Sequence, residues 1–106
     1  SNAARVKVYV DDARSTPEGF LRAYWPFQTY DALIEGRVDT LSLDHDLGDD
    51  DHGTGYDCLL RVEALARKVR PPKEIIIHSA NPGARKRMEL AIESIRRIEQ
   101  QTEYSS

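Results

Sequence analysis

The chain alternates between short runs typical of β-strands and longer stretches typical of helices. Period-two alternation or a compact apolar run predicts strands at residues 5–10, 20–25, 40–43 and 74–77. Apolar side chains at helical spacing predict helices at residues 27–36, 56–69 and 82 to about 100. Strands that alternate with helices favour parallel pairing with right-handed crossovers, so we expect an α/β fold.

Local stop and start signals support these elements. Gly36 and Pro71-Pro72 end two of the helices, and Asn81-Pro82 forms an N-cap with proline at the first helical position. The polar stretch between the first two strands is too short for an ordinary crossover helix. A capping-box pattern at 15–18 leaves room there for one helical turn.

Length and composition indicate a single small globular domain. The chain has 106 residues, 40% of them hydrophobic and 31% charged, and such a chain forms one modest core. We assign residues 4–100 to the domain, residues 1–3 to an expression-tag scar, and residues 101–106 to a frayed tail. No apolar run approaches the roughly 18 residues of a membrane span, and no signal peptide is visible.

The net charge and the cysteine content limit the expected cellular compartment and the expected class of binding partner. The net charge of −3 does not support binding to a nucleic-acid duplex. The single cysteine, Cys58, cannot form an internal disulfide, which fits a reducing compartment, so we expect a cytoplasmic protein without membrane association. Eight of the ten aspartates fall within residues 11–12 and 44–57, and this concentration is the first indication of function.

Polar side chains follow three of the four predicted strands. Asp11-Asp12 ends the first, Asp44-His45-Asp46 ends the third, and His78-Ser79 ends the fourth. Because ligands of open parallel sheets bind outside the carboxyl ends of the strands, we expect these residues to share one pocket.

Clustered aspartates require a cation, since neighbouring carboxylates otherwise raise one another's pKa. Ligation by Asp11, Asp12, Asp44 and Asp46 suits Mg²⁺ or Mn²⁺, and the ion would leave coordination positions open for phosphate oxygens. The other metal patterns do not match. Residues 44–57 lack the spacing and the final glutamate of a calcium loop, and one cysteine excludes a thiolate zinc site.

The remaining candidate residues are expected to transfer protons or to bind phosphate. His45 and His78 stand beside strand ends and are candidates for general acid or base, whereas His52 lies in a polar loop and is expected to be solvated. Ser79 and Asn81 precede a helix, where a hydroxyl and free backbone N–H groups can receive phosphate. Arg14 is either a phosphate ligand or a partner of the aspartates.

These residues resemble the receiver domains of response regulators across residues 5–98. The resemblance implies that Asp11-Asp12 holds Mg²⁺, that Asp44 accepts a phosphoryl group, and that Ser79 contacts it. It also implies a flavodoxin-like parallel sheet of about four strands with helices on both faces. Gly55 and the residues after it resemble the glycine and helix start that follow the phosphorylation loop in that family.

The chain also departs from ordinary receivers. The first crossover helix is reduced, and we expect the fifth strand and the lysine it carries in that family to be absent. The strings Leu43-Asp-His-Asp-Leu-Gly48 and His78-Ser-x-Asn-Pro82 are similar to a divergent receiver branch predicted to process cyclic phosphates.

Three functions therefore remain open. The first is a metal-dependent phosphoesterase that binds and hydrolyses a cyclic phosphate, with Asp44, His45 and His78 as catalytic residues and Ser79, Asn81 and Arg14 on the phosphate. The second is a signalling receiver phosphorylated on Asp44 by a phosphodonor protein. The third is a non-catalytic metal-binding or nucleotide-binding module, in which apolar residues left uncovered by the lost helix form a homodimer or another interface.

Overall fold

A computed structural model describes residues 5–44 and 53–104 of the chain. Four strands and three α-helices alternate in it, with one short 3-10 helix. Their bounds are β1 Val6–Val10, β2 Phe20–Ala23, the 3-10 helix Pro26–Thr29, α1 Tyr30–Ile34, β3 Val38–Leu43, α2 Gly55–Leu65, β4 Glu74–Ile77 and α3 Pro82–Gln100. Within these two ranges, no helix is both long and apolar enough to cross a membrane. The assigned scar at residues 1–3 lies outside the described residues, and the domain bounds stay a prediction.

The four strands form one parallel sheet in the order β2-β1-β3-β4. The predicted parallel α/β fold is therefore confirmed. The chain passes from β1 to β2 on one side and then to β3 on the other side of β1. The order thus reverses between β1 and β3, and sheets of this kind bind ligands at the carboxyl ends of the strands beside such a reversal.

One face of the sheet carries the apolar core. Val8 and Val10 of β1 and their register partners Leu41 and Leu43 of β3 point towards this face. They pack against buried side chains from all three helices: Leu33 of α1; Cys58, Leu59 and Val62 of α2; Met88, Ala91 and Ile95 of α3.

The three described α-helices therefore cover only one face of the sheet, whereas the receiver resemblance implies helices on both faces. The steps β2–β3 and β3–β4 run in the same direction across the sheet, so right-handed crossovers place α1 and α2 on the same face. The opposite step, β1–β2, is the one whose helix is missing. The capping-box pattern at 15–18 forms no helical turn. Thr16 accepts a hydrogen bond from Arg22 Nε at 2.8 Å, and the Phe20 N–H donates to the Pro17 carbonyl at 3.2 Å.

The segment after β2 differs from its prediction in detail. β2 ends at Ala23 instead of residue 25, and the helix predicted over 27–36 is divided into a 3-10 helix and α1. The Gln28 side-chain oxygen accepts from the backbone N–H groups of Tyr24 and Trp25, and the Thr29 hydroxyl donates to the carbonyl of Pro26. These local bonds tighten the first turn. Gly36, with φ +69°, ends the region as predicted.

Cys58 supports a prediction about thiol chemistry, because it is fully buried in α2. Burial raises the pKa of this thiol to about 11, although the Thr29 hydroxyl at 3.5 Å partly opposes that rise. We expect native protein to resist iodoacetamide at about pH 8 and to react once unfolded, since only the thiolate is nucleophilic. Intact mass at increasing urea measures this, and rapid alkylation of folded protein would contradict the burial.

The raised pKa of Cys58 also makes part of the folding stability depend on pH. This contribution to the free energy of unfolding is fully present below the ordinary thiol pKa and is lost as the pH rises towards 11.

Candidate functional site

The carboxyl ends of three strands bring three titratable side chains together. Asp11 follows β1, Asp44 follows β3 and His78 follows β4. The Asp44 N–H donates to the Val10 carbonyl at 3.0 Å, and the His78 N–H donates to the Leu43 carbonyl at 2.9 Å. The sheet hydrogen bonding thus continues one residue past each strand, which places the three residues in neighbouring positions.

Their ligand atoms are close enough to hold one metal ion. One oxygen of Asp11, one oxygen of Asp44 and a ring nitrogen of His78 all lie within 4.8 Å of one another. Two oxygens and one imidazole nitrogen are donors that divalent first-row metals accept. The structure thus unites three of the residues singled out from the sequence, one from each of three strands. Their individual roles stay predictions.

Asp11 is a fully buried carboxylate stabilised by several hydrogen bonds. Its Oδ1 accepts from the backbone N–H of Ala13 at 2.7 Å and of Arg14 at 2.9 Å, and its Oδ2 lies 2.9 Å from His78 Nε2. Burial acts to raise the pKa of Asp11, but the two amides and the His78 ring outweigh it, so the pKa is lowered from 3.8. Asp11 is therefore an anion at neutral pH.

The lowered pKa of Asp11 makes part of the stability depend on pH. A carboxyl whose pKa is lower in the folded state stabilises the protein above its ordinary pKa, and this contribution is lost as the pH falls through the folded value. We expect wild-type protein to lose more free energy of unfolding than Asp11→Asn between about pH 6 and about pH 3. Urea unfolding followed by circular dichroism measures both proteins, and parallel pH curves would contradict the assignment.

The ring of His78 is held on two sides. Its Nδ1 lies 2.9 Å from the hydroxyl oxygen of Ser42, and its ring stacks on Tyr9 with centroids 4.5 Å apart and planes 3° from parallel. The histidine side chain is 15% exposed. Its ring nitrogens therefore have defined directions, one towards Ser42 and the other towards Asp11.

Two arginines form hydrogen bonds between the loop after β1 and this edge of the sheet. Arg14, a predicted phosphate ligand, donates from its guanidinium to the backbone carbonyl of His78. Arg22 donates to the carbonyl of Asp11 at 2.9 Å, and its guanidinium also lies over the rings of Tyr9 and Tyr24. Both guanidinium groups thus bond to backbone carbonyls of residues in the acidic group.

Ser79 and Asn81 form the start of α3. The Asn81 side-chain oxygen accepts from the Ala84 N–H at 3.1 Å, which confirms the predicted N-cap. The buried Ser79 hydroxyl accepts from the Asn81 N–H at 3.2 Å. Within the described ranges no partner is found for the Asn81 amide nitrogen, and Asn81 is exposed. Both side chains can therefore still donate a hydrogen bond to an incoming anion.

Gly55 brings α2 against the backbone of Asp44. A Cβ at this position would lie 2.1 Å from the Asp44 carbonyl oxygen and 2.9 Å from its carbon. No real Cβ approaches another atom so closely, so only glycine allows the helix to begin here. Its neighbour Thr54 caps α2 in a reciprocal pair of hydrogen bonds with Asp57.

Among the described residues, the predicted ligand Asp12 is not brought into the three-residue group. Asp12 is exposed and does not belong to it, although it is adjacent to Asp11 in sequence. Successive residues at a strand end point in different directions, which accounts for the separation. His45, Asp46 and His52 lie outside the described residues.

Tyr9, Ser42 and Arg22 contribute to the site but were not singled out from the sequence. Alternation of side chains along a strand could have identified Tyr9 and Ser42. They precede Asp11 and Asp44 by two residues and therefore share their face of the sheet. Arg22 pairs in register with Tyr9 across β2 and β1. Which strands are neighbours was the missing information, and sequence alternation cannot supply it.

Comparison with known protein families identifies the family of this chain. The family model described as "Cyclic-phosphate processing Receiver domain" matches residues 6–94. The chain therefore belongs to that family, and the resemblance to a divergent receiver branch is confirmed. None of the curated proteins compared gives a significant match.

Proposed function

We propose that this receiver domain is a divalent-metal-dependent phosphoesterase that binds and hydrolyses a cyclic phosphate. The observation that carries the proposal is the meeting of Asp11, Asp44 and His78 at the carboxyl ends of β1, β3 and β4, within 4.8 Å of one another. This edge of the sheet is where the strand order reverses. The family match supplies the substrate class.

The donor set fits a divalent cation. Asp11 and Asp44 supply oxygens, His78 lies beside them, and Asp12 and Asp46 remain candidate ligands from the sequence. The buried negative charge of Asp11 also favours a cation nearby. We infer Mg²⁺ or Mn²⁺ as the resident ion. When bound, such an ion polarises a phosphoryl oxygen and stabilises the charge that develops on it.

In this proposal the residues at the start of α3 orient the phosphate. The Asn81 amide and the Ser79 hydroxyl can donate to phosphoryl oxygens, and the amino-terminal end of the helix adds a partial positive charge. Arg14 is fixed to the His78 carbonyl, so in this role it would approach the phosphate with the rest of its guanidinium.

Hydrolysis adds one water molecule across a P–O bond of the ring. A base takes a proton from the water, the new P–O bond forms, and the ring oxygen leaves with a proton to give a monoester. His78 and His45 are the candidates for these proton transfers. His78 already lies 2.9 Å from a carboxylate oxygen that can orient its ring.

Turnover of defined substrates tests the proposal. Purified protein is incubated with Mg²⁺ or Mn²⁺ and with 2′,3′-cyclic nucleotides, 3′,5′-cyclic nucleotides or ADP-ribose cyclic phosphate, and the products are identified by mass spectrometry. We expect ring opening of at least one compound, which Asp44→Asn abolishes. Asp39→Asn is the matched control, since Asp39 lies near the other end of β3 and pairs with Arg5 at 3.4 Å. Protein that binds metal and turns over none of these compounds would contradict the proposal.

The same protein distinguishes the signalling alternative. Asp44 is half-buried at the end of β3, the position at which the receiver resemblance implies a phosphoacceptor. Incubation with acetyl phosphate or phosphoramidate, followed by intact mass, detects a covalent phosphoryl group. Its appearance in wild type but not in Asp44→Asn, without turnover of cyclic phosphates, would favour the receiver function instead.

A further inference from the structure

We infer that His78 is a direct nitrogen ligand of the ion, positioned by Ser42 and Tyr9, and that the site consequently prefers a transition-metal ion such as Mn²⁺ to Mg²⁺. This inference rests on the metal site of the proposed function and extends it, because a His78 bound to the ion through Nε2 leaves the proton transfers to His45. The sequence pattern suggested oxygen ligation by aspartates alone, with His78 limited to proton transfer.

The spacing of the donor atoms suits inner-sphere binding. Ligands about 2.1 Å from an ion and at right angles to each other are separated by about 3.0 Å. His78 Nε2 and Asp11 Oδ2 are 2.9 Å apart. Opposite ligands would be about 4.2 Å apart by the same arithmetic. The full group lies within 4.8 Å, so small side-chain rotations bring all three donors onto one ion.

Ser42 supplies the acceptor for the tautomer that metal binding requires. A ligating histidine coordinates through one nitrogen, and its other ring N–H donates to a fixed acceptor. Ser42 Oγ lies 2.9 Å from Nδ1, so an N–H on that nitrogen has its acceptor. Before an ion binds, Nε2 carries the proton that it donates to Asp11 Oδ2. An ion that takes the lone pair of Nε2 requires this proton to move to Nδ1, where Ser42 Oγ accepts it.

The ring is also held in place before any ligand arrives. It stacks on Tyr9 with centroids 4.5 Å apart, its backbone carbonyl accepts from Arg14, and only 15% of the side chain is exposed. A rotation of the ring away from Asp11 would break both the stack and the bond to Ser42. Binding therefore requires little reordering of this ligand, which favours affinity.

One nitrogen donor changes the choice of ion. Mg²⁺ favours oxygen ligands, whereas imidazole suits first-row transition metals and Mn²⁺ accepts both donor types. The rival arrangement keeps His78 as a hydrogen-bond partner of Asp11 outside the coordination sphere. That arrangement gives no nitrogen ligand and leaves oxygen donors suited to Mg²⁺.

Spectroscopy of bound Mn²⁺ separates the two arrangements. Mn²⁺ is titrated into the protein and followed by electron paramagnetic resonance, and pulsed spectra of the complex report whether a nitrogen nucleus is directly bound. We expect an imidazole nitrogen coupling in wild type and a Mn²⁺ affinity at least about tenfold above that for Mg²⁺ by calorimetry. His78→Phe, which keeps a ring on Tyr9, should lose the coupling and weaken Mn²⁺ binding about 10- to 100-fold, with a smaller effect on Mg²⁺.

Ser42 acts through His78, so its variants have a different signature. Ser42→Ala should keep the nitrogen coupling while Mn²⁺ affinity falls about tenfold, and Ser42→Thr should restore the affinity by returning a hydroxyl. Thr40→Val is the matched control: Thr40 lies two residues earlier on the same face of β3 and is 4% exposed, like Ser42. It should leave both metal affinities unchanged.

The outcomes separate this inference from the proposed function. A wild-type Mn²⁺ complex without nitrogen coupling overturns the role of His78 even where cyclic phosphate is hydrolysed. Coupling without turnover of any compound supports the role of His78 and removes the phosphoesterase proposal. Failure to bind Mn²⁺ overturns the inference. The wild-type spectrum decides the matter also where His78→Phe does not fold.

Discussion

Gly55→Ala is expected to lower the free energy of unfolding by about 3 kcal/mol and to abolish metal binding. The added Cβ would lie 2.1 Å from the carbonyl oxygen of Asp44 and 3.1 Å from the Met88 methyl. The carbonyl is backbone and cannot rotate away, so β3 and α2 must separate. Asp44 then leaves Asp11 and His78. Urea unfolding and Mn²⁺ titration measure the two effects.

Gly83→Ala provides the control for this substitution. Gly83 lies in the first turn of α3, and a Cβ there would meet only Asn81 Oδ1 at 3.6 Å, an ordinary contact. Alanine is favoured over glycine in a helix by about 1 kcal/mol, so this variant should be at least as stable as wild type. Equal stability of Gly55→Ala and Gly83→Ala would mean that α2 does not approach Asp44 as closely as described.

Asp11→Ala should cost about 3 kcal/mol of folding stability and remove metal binding, because three donors lose their acceptor together. These donors are the N–H groups of Ala13 and Arg14 and the ring of His78. Asp11→Asn keeps an oxygen for the two amides and removes the charge. It should therefore lose less folding stability, about 1 kcal/mol. Its affinity for Mn²⁺ should nevertheless be at least about 100-fold below that of wild type.

The comparison between the two Asp11 variants separates the structural role of this residue from its role as a ligand. Both are measured by urea unfolding and by calorimetric titration with Mn²⁺. Asp39→Asn, which removes an exposed ion pair, should change stability by no more than about 1 kcal/mol and leave metal binding intact. Metal affinity retained in Asp11→Asn would exclude Asp11 as a ligand.

Local patterns predicted the elements well where one signal was dominant. The alternation in β1 and the Asn81-Pro82 cap of α3 are both present in the structure. The 3-10 helix Pro26–Thr29 was not predicted, because the side chains of Gln28 and Thr29 bond to nearby backbone and tighten a turn that apolar spacing alone describes as helix.

The candidate site was predictable in its location but not in its membership. Asp11, Asp44 and His78 were expected near one another because each follows a strand, and the structure brings them together. Asp12 followed the same reasoning and is exposed outside the group. The difference is one of direction, since neighbouring residues at a strand end diverge. The parts of the prediction that concern His45 and Asp46 lie outside the described residues.

The sequence by itself determined that acidic and imidazole groups follow the strands of a parallel α/β domain, because strand periods, caps and turn residues depend on close neighbours in the chain. Only the tertiary structure decided that Asp11 is buried and ionised, and that His78 is held between Asp11, Ser42 and Tyr9. The hydrogen bonds of His78 with Ser42 and Asp11 join residues 36 and 67 positions apart. They depend on the order and register of the strands, which are set by packing across the whole sheet.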